Sequence, residues 1–357
     1  MSGQRAKSLR IVIAGAGSIG CFCGGLWAAA GHSVTLLGRG RILMPIAQRG
    51  LLLTDYAGLE QQVEARQLRC SEDPAVLAEA DLVVVAVKSN GTAAMGRLIA
   101  QYAPPDAPVL SFQNAVTNVE LLRQMLPGRD LRAAMVPFNV VPTGPAVPPA
   151  SPVPPEPPGA AGAASAQPGY HRASSGEILI AKGRGHLGRF LSVPGLPVGE
   201  TEDITGVQWG KLLINLNNAL NALSGLPLMT QLQSRHWRRL MADQMAEALR
   251  VMQAAGLRPV STTPLPVWLT PHILRLPNWA FTRIAAQMLT IDPTARSSMA
   301  QDLMQGRITE VDALQGEIQR LGQAHGVATP VCDVVIQLIR QAEMKKAGLP
   351  KLQPGQI

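Results

Sequence analysis

The run Arg10-Ile-Val-Ile-Ala-Gly-Ala-Gly-Ser-Ile-Gly20 admits few folds. Its β-branched apolar start predicts a buried strand, and Gly15-x-Gly17-x-x-Gly20 then opens into a helix expected from about Ile19 to Ala30 and stopped at Gly31. A second strand, Ser33–Leu37, follows. In a dinucleotide-binding turn, Gly15 permits the tight bend, Gly17 lets the backbone approach a pyrophosphate, and Gly20 allows the helix to lie close to the strand. The first helical amides, Ser18 and Ile19, and the positive end of the helix dipole then face that anion. The motif alone occurs by chance, but strand, turn, helix and strand in succession define a βαβ unit.

A chain of 357 residues exceeds a usual single core, so two domains are expected. Hydrophobic residues make up 46% and charged residues 16%, which suits a globular protein. The formal charge of +8 raises a nucleic-acid reading. Lysine and arginine are scattered singly, however, with no basic stripe interleaved with aromatics, so the charge fits anionic small molecules better. Basic residues before Ile11 imitate a signal peptide. Cleavage near Ala28-Ala-Ala30 would remove the glycine turn itself, so that reading is rejected. No other stretch of ~20 apolar residues exists, and the expectation is a soluble, cytoplasmic protein with neither membrane nor nucleic-acid partner. Cys21, Cys23, Cys70 and Cys332 lack metal-ligand spacing and read as buried reduced thiols, with no metal site.

Arg39, rather than an acid, follows the second strand, and arginine suits a ribose 2′-phosphate, which argues for NADPH. Two short strands are expected between Gly50 and Cys70, carrying Leu51–Leu53 and Val63 to Arg66. A buried parallel strand spans Asp81–Val87 and ends in Lys88. After a helix at about 91–102, the strand Pro108–Phe112 delivers Gln113 and Asn114 to the carboxyl edge of the sheet, where doubly wound folds bind ligands. Ala133–Val141 reads as one further strand. The Pro/Ala/Gly/Ser-rich segment 143–169 reads as a disordered insertion, because it buries too little apolar surface to offset its ordering entropy. Strand-like pieces resume at Ser174–Ala181 and just before Glu200.

Beyond about Thr205 the periodicity is helical, giving domains of 1–205 and 206–357. One helix is expected across Trp209–Leu220, with Lys211, Asn215 and Asn218 at i, i+4 and i+7 on one face and the leucines and isoleucine on the other. Ser297 to Glu310 joins two helices at Gly306 and carries a serine and a carboxylate. The last helix is expected to have Thr329 as cap, Pro330 in its first turn and Lys345-Lys346 at its end.

Taken in order, the glycine turn, Gln113-Asn114, Lys211 with Asn215, and Ser297-Ser298-Met299 followed by Gly306-Arg-Ile-Thr-Glu310-Val-Asp resemble the ketopantoate reductase (2-dehydropantoate 2-reductase) family, from about Leu9 through Gly326. The resemblance implies an N-terminal Rossmann-like doubly wound α/β domain, a C-terminal all-helical domain, and NADPH-dependent reduction of 2-dehydropantoate in pantothenate and coenzyme A biosynthesis. It implies that Lys211 is the catalytic lysine and Glu310 its acidic partner. Asn114, Asn215 and Ser298 become substrate contacts, and Arg39 and Lys88 lie near the cofactor. Asn218, from its place on the Lys211 face, is expected as a further substrate contact, and Asn114, from its place at the strand edge, as a cofactor contact as well. Ala115 stands where the family usually has glycine. Ala219 stands where many members have a second asparagine, with Asn218 one residue earlier.

The chemistry can be argued from residue types alone. Hydride addition to a 2-oxo acid builds negative charge on the carbonyl oxygen, and a positioned ammonium stabilises that charge and donates the proton. Two alternatives remain open at this level: a reductase of another branched 2-oxo acid, and a catalytically silent NADPH-binding regulator. The partner is a small 2-oxo acid, and a homodimer is compatible with everything above.

Overall fold

The computed structural model describes residues 8–143, 167–261, 265–284 and 295–357. The chain divides between Ile204 and Thr205 into two compact units.

In the first unit the strands are β1 Arg10–Ala14, β2 Ser33–Leu37, β3 Leu51–Asp55, β4 Glu60–Val63, β5 Leu68–Ser71, β6 Leu82–Val85, β7 Val109–Ser111, β8 Leu131–Met135, β9 Val140–Thr143, β10 Gly169–Arg172, β11 Ile178–Ala181 and β12 Val198–Thr201. Its helices are α1 Ser18–Ala29, α2 Gly40–Arg49, α3 Thr92–Tyr102, α4 Val116–Met125 and α5 Leu187–Leu191. One sheet runs β12-β11-β8-β7-β6-β1-β2-β5. Its six strands from β8 to β5 are mutually parallel, and β11 is antiparallel to β8. The chain leaves β1 towards β2 on one side and returns to β6 on the other. The reversal between β1 and β6 is the switch point at which doubly wound sheets bind ligands.

Side chains alternate across this sheet. Ile11, Ile13 and Val84 enter one core, and Val12, Ala14, Val83 and Val85 enter the other. Such two-sided burial is why these strands read as continuous apolar runs. A second sheet, β4-β3-β10-β9, covers the far side of α1. A Cβ added to Gly24 would touch Ile13 and Leu36 at 3.0 Å, whereas one on Gly25 would come within 2.8 Å of Leu53. The helix is apolar all round because both its faces are covered, which also explains its imitation of a secretory signal.

Two sequence expectations change. Ala133–Val141 is two strands in two sheets, because Pro137 between them has no amide to donate to a ladder. Val63 to Arg66 is not a strand throughout: after Val63 the chain turns, with Glu64 N donating to Gln67 Oε1 at 2.8 Å. The chain then supplies β5, which pairs with β2. Residues 144–166 of the expected disordered insertion lie outside the described residues. Its flanks belong to the second sheet, where Thr143 pairs with Gly169.

The second unit is helical, with α6 Ile204–Asn215, α7 Asn217–Ser224, α8 Leu228–Gln233, α9 Arg235–Ala254, α10 Thr270–Leu274, α11 Asn278–Ile284, α12 Ser298–Met304, α13 Val311–His325 and α14 Pro330–Lys345. Helix α9 buries Trp237, Met241, Met245, Ala248 and Met252, a stripe at three- and four-residue spacing. It also buries Glu247, whose carboxylate accepts from Val331 N and Cys332 N at 2.9 Å each. This caps α14. Thr329 holds the cap position, but its hydroxyl donates to Asp333 Oδ1 at 3.0 Å. No helix among the described residues is long and apolar enough to cross a membrane.

Candidate active site

In the first unit the glycine turn follows β1. Gly15 has φ +124°, and its amide donates to Ile13 O and Leu37 O at 3.0 Å. An added Cβ there would lie 2.6 Å from Val87 N, so the turn is pressed against the end of β6. A Cβ on Gly20 would strike the carbonyl oxygen of Gly15. Gly17 differs, since its φ of −82° is ordinary and a Cβ would meet only Ala86 O, at 3.9 Å. Nothing inside the fold asks for glycine at Gly17. A pyrophosphate resting on the turn does, with the amides of Ser18 and Ile19 at the start of α1 behind it. The residues present therefore fit a dinucleotide.

Arg39 lies just beyond β2 as the residue preceding α2, and Lys88 just beyond β6, where it precedes a short 3-10 turn. Asn114 follows β7. The buried Gln113 holds these strand ends in register: its Nε2 donates to Val87 O at 3.0 Å and to Thr92 Oγ1 at 2.7 Å, while its Oε1 accepts from Ser111 Oγ at 3.1 Å. Thr92 Oγ1 donates onward to Asn118 Oδ1, and Asn118 Nδ2 donates to Ser89 Oγ. Thr92, Asn118 and Ser89 were not singled out in the sequence. Their only sequence trace is polar residues at the starts of two helices. Ala115 has φ −86° and ψ 135°, a conformation open to any residue, so alanine fits without strain.

In the second unit the stretch expected as one helix is two. Helix α6 ends at Asn215 and α7 begins at Asn217, and the intervening Leu216 carbonyl accepts from the buried Gln315 Nε2 at 2.8 Å. Lys211, Asn215 and Asn218 nevertheless share a half-buried position. Ile214 is 41% exposed, so the isoleucine does not join the leucines on the covered side. The buried amides are Asn217 and Asn221, which with Ser224 form a second polar stripe at the same i, i+4, i+7 spacing.

Gln315 sits in α13, the helix that Glu310 precedes, so the clamp on Leu216 ties the Lys211 helix to the Glu310 turn. Burial pulls the Lys211 ammonium down to about 8, while the charge of Glu310 pulls in the opposite direction. Ser298 opens α12. Its predecessor Ser297 donates through Oγ to Asn218 O at 2.9 Å, and Ser297 N donates to Asn221 Oδ1 at 2.9 Å. Asn221 Nδ2 in turn donates to Gln231 Oε1 at 3.0 Å. Within this unit Lys211 and Glu310 interact electrostatically, and Ser298 is fastened beside Asn218. The arrangement can present an ammonium poised near neutral pH together with amide and hydroxyl groups. Cys21, Cys23 and Cys332 are buried thiols whose ionisation burial opposes. Among the described residues no cluster of His, Cys, Asp and Glu could hold a metal ion.

Two models of one family match the chain. "Ketopantoate reductase PanE/ApbA" matches residues 11–147 and "Ketopantoate reductase PanE/ApbA C terminal" matches residues 203–343. A 2-dehydropantoate 2-reductase of Halobacterium salinarum is 28% identical over 94% of this chain and 99% of its own length. One of Mesorhizobium japonicum is 26% identical over 95% and 99%. Among solved structures, a PanE/ApbA family ketopantoate reductase from Ralstonia eutropha superposes with a TM-score of 0.75 at 29% identity, covering 95% of this chain and 99% of that one. D-mandelate dehydrogenase, solved with NADH, shares the fold at a TM-score of 0.71 and 20% identity. With a Rossmann-like sheet, a helical second unit and both family models matched in order, the chain belongs to the ketopantoate reductase family of oxidoreductases.

Proposed function

We propose that this protein reduces 2-dehydropantoate to pantoate with NADPH, taking up one proton and releasing NADP. The observation that carries the reading is Lys211, a half-buried lysine whose ammonium is brought down to about 8 beside the charge of Glu310. When bound, the reduced nicotinamide supplies the hydride. Lys211 Nζ stabilises the negative charge developing on the substrate's keto oxygen and passes its proton to that oxygen. A donor near 8 is still protonated at neutral pH yet releases its proton readily. Glu310 keeps Lys211 charged before the transfer. Asn114, Asn215, Asn218 and Ser298 orient the carboxylate and hydroxyl of the substrate by hydrogen bonds.

For the nucleotide, the Gly17 cradle and the start of α1 take the pyrophosphate, Lys88 and Asn114 stand at neighbouring strand ends, and Arg39 favours the 2′-phosphate. The test is to follow NADPH absorbance with 2-dehydropantoate. Turnover that Lys211→Ala abolishes supports the reading, and no turnover with 2-dehydropantoate or any other 2-oxo acid refutes it. The domain limits of 1–205 and 206–357 and the cytoplasmic setting expected from the sequence belong to the same proposal, as does a homodimer; one ketopantoate reductase of similar fold, from Staphylococcus aureus, is described as dimeric.

A further inference from the structure

Strands β2 and β5 are parallel neighbours with Leu37 opposite Ser71, and Gly38 N donates to Ser71 O at 3.1 Å. The residues that follow, Arg39 and Glu72, therefore leave the carboxyl edge of the sheet side by side. Glu72 turns its carboxylate onto the start of α2, where Gly40 N donates to Oε2 at 2.7 Å. A Cβ on Gly40 would lie 2.5 Å from Glu72 Oε1, so glycine at 40 is what lets the carboxylate come so near. Arg39 makes no ion pair with Glu72 or any other acid among the described residues. Both side chains are exposed.

In a dinucleotide-binding βαβ unit this edge is where the adenosine ribose is read. An acid accepts from the 2′-hydroxyl, and an arginine pairs with a 2′-phosphate. Here Arg39 holds the position after β2, and an acid arrives from the adjacent strand. We propose that Glu72 is a specificity-determining residue for the nucleotide, its carboxylate opposing a 2′-phosphate and accepting from a free 2′-hydroxyl, so that Arg39 and Glu72 together hold the preference for NADPH over NADH well below what Arg39 alone would give. Glu72 already occupies the Gly40 amide that a phosphate oxygen would otherwise take. Its charge also repels a phosphate dianion at a few ångströms' range. The inference rests on the nicotinamide-nucleotide reading of the glycine turn and is independent of the substrate.

The experiment is equilibrium titration of the full chain with NADPH and with NADH, followed by nucleotide fluorescence, for the wild type, Glu72→Gln and Arg39→Ala. Glu72→Gln is expected to raise the ratio of NADPH to NADH affinity about tenfold, the effect of removing one like charge near the phosphate. Arg39→Ala is expected to lower that ratio. A purely structural role for Glu72 at the start of α2 would weaken both nucleotides alike and leave the ratio within twofold, which overturns the proposal. So does a ratio that falls. Because no 2-oxo acid enters the titration, loss of the substrate reading leaves this result standing, whereas a wild type that binds neither nucleotide overturns both.

Discussion

Asn221 and Ser297 lie 76 residues apart, yet the amide of Ser297 donates to Asn221 Oδ1 at 2.9 Å in the interior of the helical unit. The same serine begins the turn that carries Ser298, and its hydroxyl reaches the Asn218 carbonyl. Replacing Asn221 with alanine strands a buried amide and leaves Gln231 Oε1 without that donor. Asn221→Ala should therefore lower unfolding free energy by about 1–3 kcal/mol in a denaturant titration, and it should also raise KM for the 2-oxo acid by releasing Ser298. Unchanged stability would show that water replaces the side chain at no cost.

Gly17 and Gly20 of the turn should respond differently to alanine. Gly17 has an ordinary φ and open space above it, so Gly17→Ala is expected to leave stability within about 0.5 kcal/mol while weakening nucleotide binding at least ~10-fold. Gly20→Ala meets the Gly15 carbonyl and should cost about 1–3 kcal/mol by overpacking. If Gly17→Ala bound NADPH as well as the parent, a pyrophosphate would not rest there.

Lys211 predicts a pH profile. The reducing direction needs the ammonium, whose pKa is about 8, so kcat/KM should hold below that value and fall as pH rises through it. Glu310 pulls this pKa upwards. Glu310→Gln should therefore move the falling limb to lower pH, with the opposite movement excluding the assigned pairing. Lys211→Ala should lower kcat by about 10²-fold or more. A change confined to KM would reduce Lys211 to a binding contact.

Much of the first unit is legible because local signals agree with burial. The strand from Arg10, the glycine turn and the helix stop at Gly31 each depend on residues within a few positions of one another. What escaped reading depends on partners far along the chain. Pro137 divides one apolar run between two sheets, a choice that needs β10 to be placed first. The helix expected across Trp209–Leu220 is divided at Leu216, whose carbonyl accepts from Gln315 far along the chain, and Thr329 shares its cap with Glu247 from another helix. Glu72 looks like a solvated charge until β5 is set beside β2. Asn217 and Asn221 carried a usable signal, a second polar stripe at helical spacing within an Asn-rich run.

The substrate is the last test. 2-Dehydropantoate carries a carboxylate, a keto group, a gem-dimethyl carbon and a terminal hydroxyl, so its site needs polar groups for both ends and apolar contact between. Asn215 and Ser298 supply an amide and a hydroxyl proposed for the hydroxyl end, with Ser297 next to Ser298 fastened to the Asn218 carbonyl. A site built to hydrogen-bond a hydroxyl rejects an analogue without one, because its own polar groups are then left unpaired. 2-Oxo-3-methylbutanoate, which lacks the hydroxymethyl arm, should be reduced at least ~10²-fold less efficiently in kcat/KM, and Ser298→Ala should narrow that gap. Equal rates for the two acids would remove 2-dehydropantoate as the preferred substrate and favour a reductase of branched 2-oxo acids at large, since Lys211 acts only on the keto oxygen that both share.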